Sequence, residues 1–357
     1  MSETVVDTMD IEPEPFASSR QKKIASLAAP ILGALLGLFI GGILILIAGE
    51  NPFEVYAAML YGAFGGKRQI TETLLKTGPL LLMALGLTVA FRAKVWNIGG
   101  EGQYFIGALV GGVIALYFSH WPRPVLLVAM ILGGLLGGAL WALLPAIFKV
   151  KNGISEIITT LMFNFIALFL VSYLVRGPLQ DPNGVYPQTA RFDPVTQLPD
   201  LFGTRLHSGL LLSLVLVPVI YVMLWHTPLG FRLRAVGSRA LVARYAGINV
   251  ERTIVFVLLF SGALAGLTGL IEVSTLHTRL KGTITGGYGF SGILVALLGR
   301  LNPFGVAAAA LFFAALTIGA EAMHVVAGLP PALADAIQAI IVLSVLIVDA
   351  VVRRRLE

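Results

Sequence analysis

Long, unbroken runs of apolar residues place the strongest limit on what this chain can fold into. Ten such runs follow one another, and all but one contain between 15 and 25 residues. A helix of about 20 apolar residues spans the hydrocarbon core of a bilayer, which is roughly 30 Å thick. The runs are continuous rather than short and alternating, which excludes a membrane β-barrel. The predicted fold class is therefore an all-α polytopic membrane protein with about ten transmembrane helices.

Composition supports this class and excludes others. Apolar residues make up 57% of the 357 residues and charged residues only 12%, whereas soluble domains are about 45–50% apolar and about 25% charged. The chain has no cysteine, and its five histidines are scattered without a metal-binding motif. We therefore expect no disulfide, no metal site, no cofactor and no catalytic residue. We attribute the net charge of +6 to membrane topology and not to nucleic-acid binding.

The predicted spans differ in length, and the eighth is the shortest. Its eleven residues would rise only about 16 Å as a helix, which is about half of the hydrocarbon core. A half-length helix that continues as irregular backbone is compatible with a membrane where protein surrounds it. We place the ten spans at residues 24–48, 74–91, 104–118, 124–148, 157–174, 210–225, 253–273, 289–299, 303–323 and 332–352.

The positions of lysine and arginine orient these spans. With ten spans and both termini in the cytoplasm, 16 of the 25 lysines and arginines lie on the cytoplasmic side, as the positive-inside rule requires. The run at 24–48 is too long for the apolar part of a cleavable signal peptide, which has about 7–15 residues. We therefore expect a disordered cytoplasmic tail at 1–23, a single transmembrane domain at 24–352 and a cytoplasmic C-terminus at 353–357.

Two long connections separate the spans. The outer one, residues 176–208, is rich in proline and glycine and is expected to be irregular. The inner one, residues 226–252, contains five arginines, and its stretch 238–245 has no proline or glycine and can form a short helix. On charge alone, this inner loop is interpreted as a topology anchor beside anionic membrane lipid.

Glycines recur at a spacing of four residues in several spans. The pairs at 33/37, 107/111 and 262/266 let helix backbones approach closely, so we predict a tightly packed bundle. Two glycine-rich segments, residues 98–102 and 285–289, precede the third and eighth spans, which run in opposite directions in this topology. This arrangement predicts an inverted repeat of spans two to five and seven to ten, with broken helices at the repeat interface.

The chain lacks the Walker A motif that binds nucleotide phosphates. Uphill transport would therefore draw on an ion gradient or on a separate ATPase. An ion-coupled carrier needs buried acidic residues within its spans. Only Glu101 lies at a predicted helix break, whereas the other acids, Glu272 included, lie near the ends of spans. This distribution disfavours an ion-coupled secondary carrier, and the glycine-rich breaks disfavour a membrane scaffold without transport activity.

Four polar residues near the first predicted break are candidates for a substrate pathway: Asn97, Glu101, Gln103 and Asn164. An unpaired amide or carboxylate in hydrocarbon is costly, so polar groups at this depth mark a functional site. In the alternative interpretation, they cap helices or bond to neighbouring backbone, and Glu101 ties the glycine-rich break together.

Residues 91–103, with the sequence FRAKVWNIGGEGQ, resemble the FRAG-x-x-NIG-x-EGQ signature of a family of bacterial ABC importer permeases. This family serves branched-chain amino acids, ribose and nucleosides, and the likeness is strongest to its nucleoside-type members. The chain departs from the family pattern at Lys94, where glycine is usual, and at Ser238, where an acidic or amide residue is frequent. The likeness covers residues 75–325, and its further blocks lie at 227–237, 246–250, 261–267 and 287–303.

The resemblance implies a type II ABC importer fold and a division of labour between subunits. The chain is then a permease subunit and not an enzyme, and it forms a pathway for nucleosides across the bacterial cytoplasmic membrane. Its implied partners are a cytoplasmic ABC ATPase with two fused nucleotide-binding domains, a second related permease, an extracytoplasmic solute-binding protein and membrane lipid, with no nucleic acid. A ribose or simple-sugar permease and a branched-chain amino acid permease remain alternatives.

The resemblance also changes the interpretation of the basic inner loop. Residues 238–245 are then a coupling helix that docks in a groove of the ATPase. Its arginines would form bidentate contacts with carboxylates of the ATPase, and glycines would let the backbone turn at either end. The residues assigned to this role are Arg232, Arg234, Gly237, Arg239, Arg244 and Gly247.

Overall fold

In the computed structural model, the described residues are 19–201, 203–282, 284 and 286–356. They form thirteen α-helices and no β-strand, which confirms the all-α fold class. The helices are α1 Ser19–Ile47, α2 Pro52–Phe64, α3 Lys67–Arg92, α4 Gly100–Tyr117, α5 Arg123–Asn152, α6 Glu156–Arg176, α7 Ser208–His226, α8 Pro228–Ser238, α9 Ala240–Tyr245, α10 Val250–Glu272, α11 Tyr288–Leu298, α12 Pro303–Ala327 and α13 Pro331–Leu356. A π-helical turn, Val273–His277, follows α10. Residues 1–18 of the predicted tail lie outside the described residues.

Eight of the described helices are long and apolar enough to cross a membrane: α1, α3, α5, α6, α7, α10, α12 and α13. The other two predicted spans are helical but shorter, since α4 has 18 residues and α11 has 11. Helix α2 occupies a segment that the sequence analysis left as a connection. The chain is therefore a multi-pass membrane protein in which two of the predicted spans begin at a glycine-rich segment.

The half-length helix α11 is preceded by a linker whose described residues, 278–282, 284, 286 and 287, are not helical. In this linker the carbonyl of Leu280 accepts a hydrogen bond from the N–H of Thr189 at 3.0 Å. The carbonyl of Ile284 accepts another from the hydroxyl of Tyr104 at 3.5 Å. Non-helical backbone at membrane depth requires such partners from the protein. The eighth span is thus a half-length helix continued by protein-bound irregular backbone.

The chain divides into two compact units. The first lies within Met1–Pro52 and Asp335–Glu357, and so combines α1 with the larger part of α13. Gly33 lies against the backbone of Val345, and a Cβ at this position would collide with it. The glycine spacing in α1 therefore allows the close helix contact that the sequence predicts.

The second unit, Phe53–Ala334, has its core where α10 packs against α3, α4 and α5. Gly266 of α10 lies against the backbone of Gly107 in α4 and of Gly134 and Gly138 in α5. Helix α3 is buried along most of its length. Small residues at these contacts let the backbones approach closely, as expected from the glycine spacing.

Arg92, the last residue of α3, marks one end of the second unit. Its guanidinium donates hydrogen bonds to the carbonyls of Leu301 and Arg300 at 2.9 and 3.2 Å. It also lies 4.8 Å from the ring centroid of Trp225. Helices α8 and α9 lie at this end, which we call the arginine end. The connection 177–207 joins α6 to α7 at the opposite end, which we call the loop end.

His207 lies just before α7 at the loop end and is 3% exposed. Its Nδ1 accepts a hydrogen bond from the N–H of Gly209 at 3.2 Å, so the neutral ring carries its proton on Nε2. Nε2 is buried and has no hydrogen-bond partner among the described residues. Burial lowers the pKa of His207 below its usual value of 6.5, and the charge of Asp200 opposes this shift. The folded protein therefore favours the neutral ring.

We expect the folded protein to lose stability as the pH falls below 6.5. In that range the unfolded chain binds a proton at His207 that the folded chain does not, so acid favours unfolding. His207→Asn retains a capping side chain for α7 but does not titrate. Its thermal denaturation midpoint in detergent should therefore fall less than that of the unmodified protein between about pH 7.5 and about pH 5.5. An equal fall in the two proteins would contradict this role for His207.

Candidate functional site

The break between α3 and α4, residues 93–99, is held from within by the side chain of Asn97, which is fully buried. Its amide nitrogen donates to Gln103 Oε1 at 2.9 Å and to Ser261 Oγ at 3.0 Å. Its amide oxygen accepts from the N–H of Gly99 at 2.9 Å and from Gln103 Nε2 at 3.0 Å. Asn97 and Gln103 therefore bind each other, satisfy backbone at the start of α4 and join the break to α10.

Helix α6 binds the other side of the same break through Asn164. Its amide oxygen accepts from the N–H of Gly102 at 2.7 Å, and its amide nitrogen donates to the carbonyl of Ile98 at 2.8 Å. Thr160, one turn earlier in α6, accepts from the N–H of Ile98 at 3.1 Å. The first N–H groups of a helix have no partner within the helix. Asn164 supplies one of these partners for α4.

Glu101 joins the two glycine-rich segments of the chain. Its carboxylate Oε2 accepts a hydrogen bond from the N–H of Gly289, in the first turn of α11, at 2.7 Å. A Cβ at Gly289 would collide with the backbone of Glu101. A carboxylate at the N-terminus of a helix is stabilised by the helix dipole and by the free N–H groups. The two segments that the sequence pairs as repeat counterparts therefore meet inside the second unit.

The structure thus brings the four predicted pathway residues together around one junction. Asn97, Glu101, Gln103 and Asn164 all bond to backbone or to one another at the N-termini of α4 and α11. This is the arrangement of the alternative interpretation, in which they tie the break together. Their contact with a solute remains a prediction.

The inner connection at the arginine end forms two short helices instead of one. Helix α8 precedes α9, and Arg239 between them is extended, with φ −148° and ψ 99°. The turn expected at Gly237 therefore lies at Arg239. Gly247 follows α9 with φ +80°, in the left-handed region that favours glycine, so the expected turn after the helix is present.

Gly237 serves a different purpose, because it lies inside α8 against the end of α3. A Cβ at Gly237 would collide with the carbonyl oxygen of Arg92. Lys94, two residues after Arg92 in the chain, has φ +55°, in the left-handed region that favours glycine. This conformation explains the glycine that is usual here in the family signature. Helix α8 therefore contacts the chain directly before the break.

The arginines assigned to coupling differ in their exposure. Arg232, Arg239 and Arg244 are exposed, whereas Arg234 is half-buried. The Nη1 atom of Arg234 is buried without a hydrogen-bond partner among the described residues. Ala243 anchors α9 in a small apolar cluster with Val236 and Val250. The remaining face carries exposed apolar and basic side chains, Arg239, Leu241, Val242, Arg244 and Tyr245, which we call the α9 surface.

A second polar cluster was missed by the sequence analysis. Glu272 is 1% exposed, and its carboxylate is hydrogen-bonded to the side chain of Tyr288. Lys76 Nζ lies 5.9 Å from the centroid of the Tyr288 ring, and the Tyr104 ring lies 6.2 Å from it. Glu272 lies near the end of its span, as expected, but it is buried beside Tyr288 of the second glycine-rich segment. Glu272 ends the regular part of α10, and the returning linker places Tyr288 beside it.

One sequence signal could have found this cluster. Lys76 and Glu272 carry opposite charges in or beside two different apolar spans, and ionisable residues within spans pair with one another. Tyr288 lies in the second glycine-rich segment, one residue before Gly289. What could not be read from the sequence is that the linker turns back into the protein interior.

These features define the class of protein. It is a multi-pass α-helical membrane protein with two glycine-rich helix starts that meet in its interior and a basic loop exposed at one end. The family described as "Branched-chain amino acid transport system / permease component" matches residues 69–346. The chain belongs to this permease family, which confirms the membership predicted from residues 91–103.

Individual relatives share most of their length with this chain. The glucose ABC transporter permease protein TsgB13 of Haloferax volcanii is 37% identical over 88% of this chain and 85% of its own. The guanosine ABC transporter permease protein NupP of Bacillus subtilis is 34% identical over 91% and 94%. The nucleoside ABC transporter permease protein NupB of Lactococcus lactis is 31% identical over 90% of both chains. No solved structure matches this chain.

Proposed function

We propose that this chain is the membrane-spanning permease subunit of an ATP-driven nucleoside importer. The observation that carries this proposal is the similarity to guanosine and nucleoside permeases over about nine-tenths of the chain. The interior junction of α4 and α11 supports it, because transporters place solute passage where broken helices expose backbone groups.

In this proposal the energy comes from a separate subunit. The chain has no Walker A motif, so ATP hydrolysis belongs to a cytoplasmic ABC ATPase, with two fused nucleotide-binding domains. A second related permease completes the pathway, and an extracytoplasmic protein delivers the solute. Residues 24–352 form one transmembrane domain in the cytoplasmic membrane, and both termini lie in the cytoplasm with the arginine end.

The α9 surface is the ATPase contact in this mechanism. Movement of α9 is passed to α8, and α8 presses on the end of α3 where Gly237 meets Arg92. The break lies directly beyond, where Asn97 and Asn164 bind the start of α4. Through Glu101 and Gly289, the same movement reaches α11. Each ATP cycle would thus shift α4 and α11 together and open the pathway to one side.

A simple-sugar importer is the second candidate. The specific observation in its favour is the 37% identity to a glucose permease. We favour nucleosides because two nucleoside-type relatives are similar over a larger share of their own chains.

Uptake into proteoliposomes tests the proposed function. The complete complex, with ATPase, second permease and solute-binding protein, should accumulate labelled nucleoside only when ATP is present on the arginine side of the membrane. Glucose supplied in the same assay distinguishes the second candidate. Nucleoside accumulation by this chain alone, driven by a proton or sodium gradient, would refute the division of labour.

A further inference from the structure

The cluster of Lys76, Tyr104, Glu272 and Tyr288 lies between the middle of the second unit and its loop end. Lys76 is 16 residues before Arg92 in the same helix, a rise of about 24 Å. Tyr288 is the first residue of the eleven-residue helix α11, which rises about 16 Å from the arginine end. The cluster therefore lies at the depth where the last residue of α10, Glu272, is beside the first residue of α11, Tyr288.

A charge at this depth is costly to bury. Glu272 is 1% exposed, Tyr104 is fully buried and Tyr288 is 6% exposed, while Lys76 is only half-buried. Ionisable side chains inside a membrane protein line substrate pathways or pair with one another. Here the carboxylate bonds to the Tyr288 side chain, and the half-buried Lys76 lies beside the same tyrosine.

The donors and acceptors of the cluster select among solutes. The oxygens of a carboxyl group accept hydrogen bonds, so a ligand that presents O–H or N–H donors fits Glu272. Lys76 already supplies a positive charge nearby, which leaves neutral hydroxyl groups as the fitting donors. Adjacent hydroxyls on a sugar ring can bind the two oxygens of one carboxylate.

We propose that Glu272 recognises the solute in this permease by accepting hydrogen bonds from hydroxyls of its sugar ring, in exchange for Tyr288. This assignment rests on the proposed function, and it identifies the sugar ring as the part of the solute that the permease recognises. Tyr288 is the reversible partner that keeps the carboxylate satisfied between transport cycles.

A double-substitution cycle, in which one residue of the protein and the hydroxyls of the solute are changed separately and together, tests the proposal. Uptake by the complete complex is measured for Glu272→Gln and the unmodified protein, each with a nucleoside and with its 2′,3′-dideoxy analogue. The solute-binding protein is the same throughout, so its own preference cancels in the ratio of the two proteins. The substitution should reduce uptake of the hydroxylated nucleoside about tenfold or more. It should reduce uptake of the dideoxy analogue less than about twofold.

Glu156→Gln is the matched control. Glu156 is also a buried acidic residue, and it forms an ion pair with Lys149 at 2.6 Å. It lies at the arginine end, so its substitution should change uptake of both solutes by the same factor. An equal factor for both solutes in Glu272→Gln would overturn the proposal and assign Glu272 a purely structural role. If that variant fails to assemble, Glu272→Asp, which keeps the charge but shortens the side chain, enters the same cycle.

The unmodified complex separates failure of this proposal from failure of the proposed function. If it transports nucleosides and the cycle shows no preference, only the role of Glu272 is refuted. If it transports a simple sugar instead, the nucleoside assignment is refuted, and the same cycle with deoxy sugars decides the role of Glu272. If it transports only a solute without a sugar ring, both are refuted.

Discussion

Replacing Arg239 and Leu241 together by Glu and Asp is expected to reduce ATP-driven uptake about 100-fold or more. Both side chains lie on the α9 surface, where Arg239 is exposed and Leu241 is 65% exposed. In the proposed complex they contact the ATPase, so the substitution places two carboxylates where an arginine faced carboxylates and a leucine faced an apolar groove. The measurements are nucleoside uptake and co-purification of the ATPase with the variant.

The chain itself should still fold and insert, because exposed side chains contribute little to its packing. Arg191→Glu is the matched control, since Arg191 is an exposed arginine in the connection at the loop end. This control should assemble and transport normally. If the double variant retains the ATPase and loses uptake only in membranes rich in anionic lipid, α9 is a lipid anchor, as its charge alone indicates. Unchanged uptake would refute both interpretations.

Much of the helical fold is predictable because apolar runs determine where a chain crosses a bilayer. The fifth predicted span, 157–174, lies within helix α6, Glu156–Arg176. Helices α2 and α8 were missed because they are short, and neither carries an uninterrupted apolar run of spanning length. A short helix at the end of a bundle is stabilised by tertiary contacts, such as Gly237 on Arg92, and local sequence does not reveal them.

The candidate site was predictable in part. Polar residues beside glycines within apolar sequence identified Asn97 and Glu101, because such groups require partners in a membrane. The partners themselves were not predictable. Asn164 bonds to Gly102, which is 62 residues away, and only the packing of α6 on α4 brings them together. Glu272 was missed for the same reason, since its environment depends on a linker that returns into the protein.

Gly266→Ala is expected to destabilise the folded protein by about 1–3 kcal/mol. Gly266 lies where α10 contacts both α4 and α5, and a Cβ there would collide with the carbonyl oxygen of Gly134 and the backbone of Gly138. Backbone atoms cannot rotate away as a side chain can, so whole helices would have to separate. Because α10 also binds the break, through Ser261 and Asn97, uptake should fall together with the thermal denaturation midpoint measured in detergent.

Gly78→Ala provides the matched control for this effect. Gly78 is a buried glycine in α3, and the nearest atom to a Cβ there would be Leu210 Cα at 3.6 Å, an ordinary van der Waals distance. The same substitution should therefore change stability by less than about 0.5 kcal/mol. If both variants lose the same stability, the loss does not come from the close backbone contact at Gly266, since alanine has the higher intrinsic helix propensity. If only Gly266→Ala loses stability, close backbone contact between α10, α4 and α5 holds the second unit together.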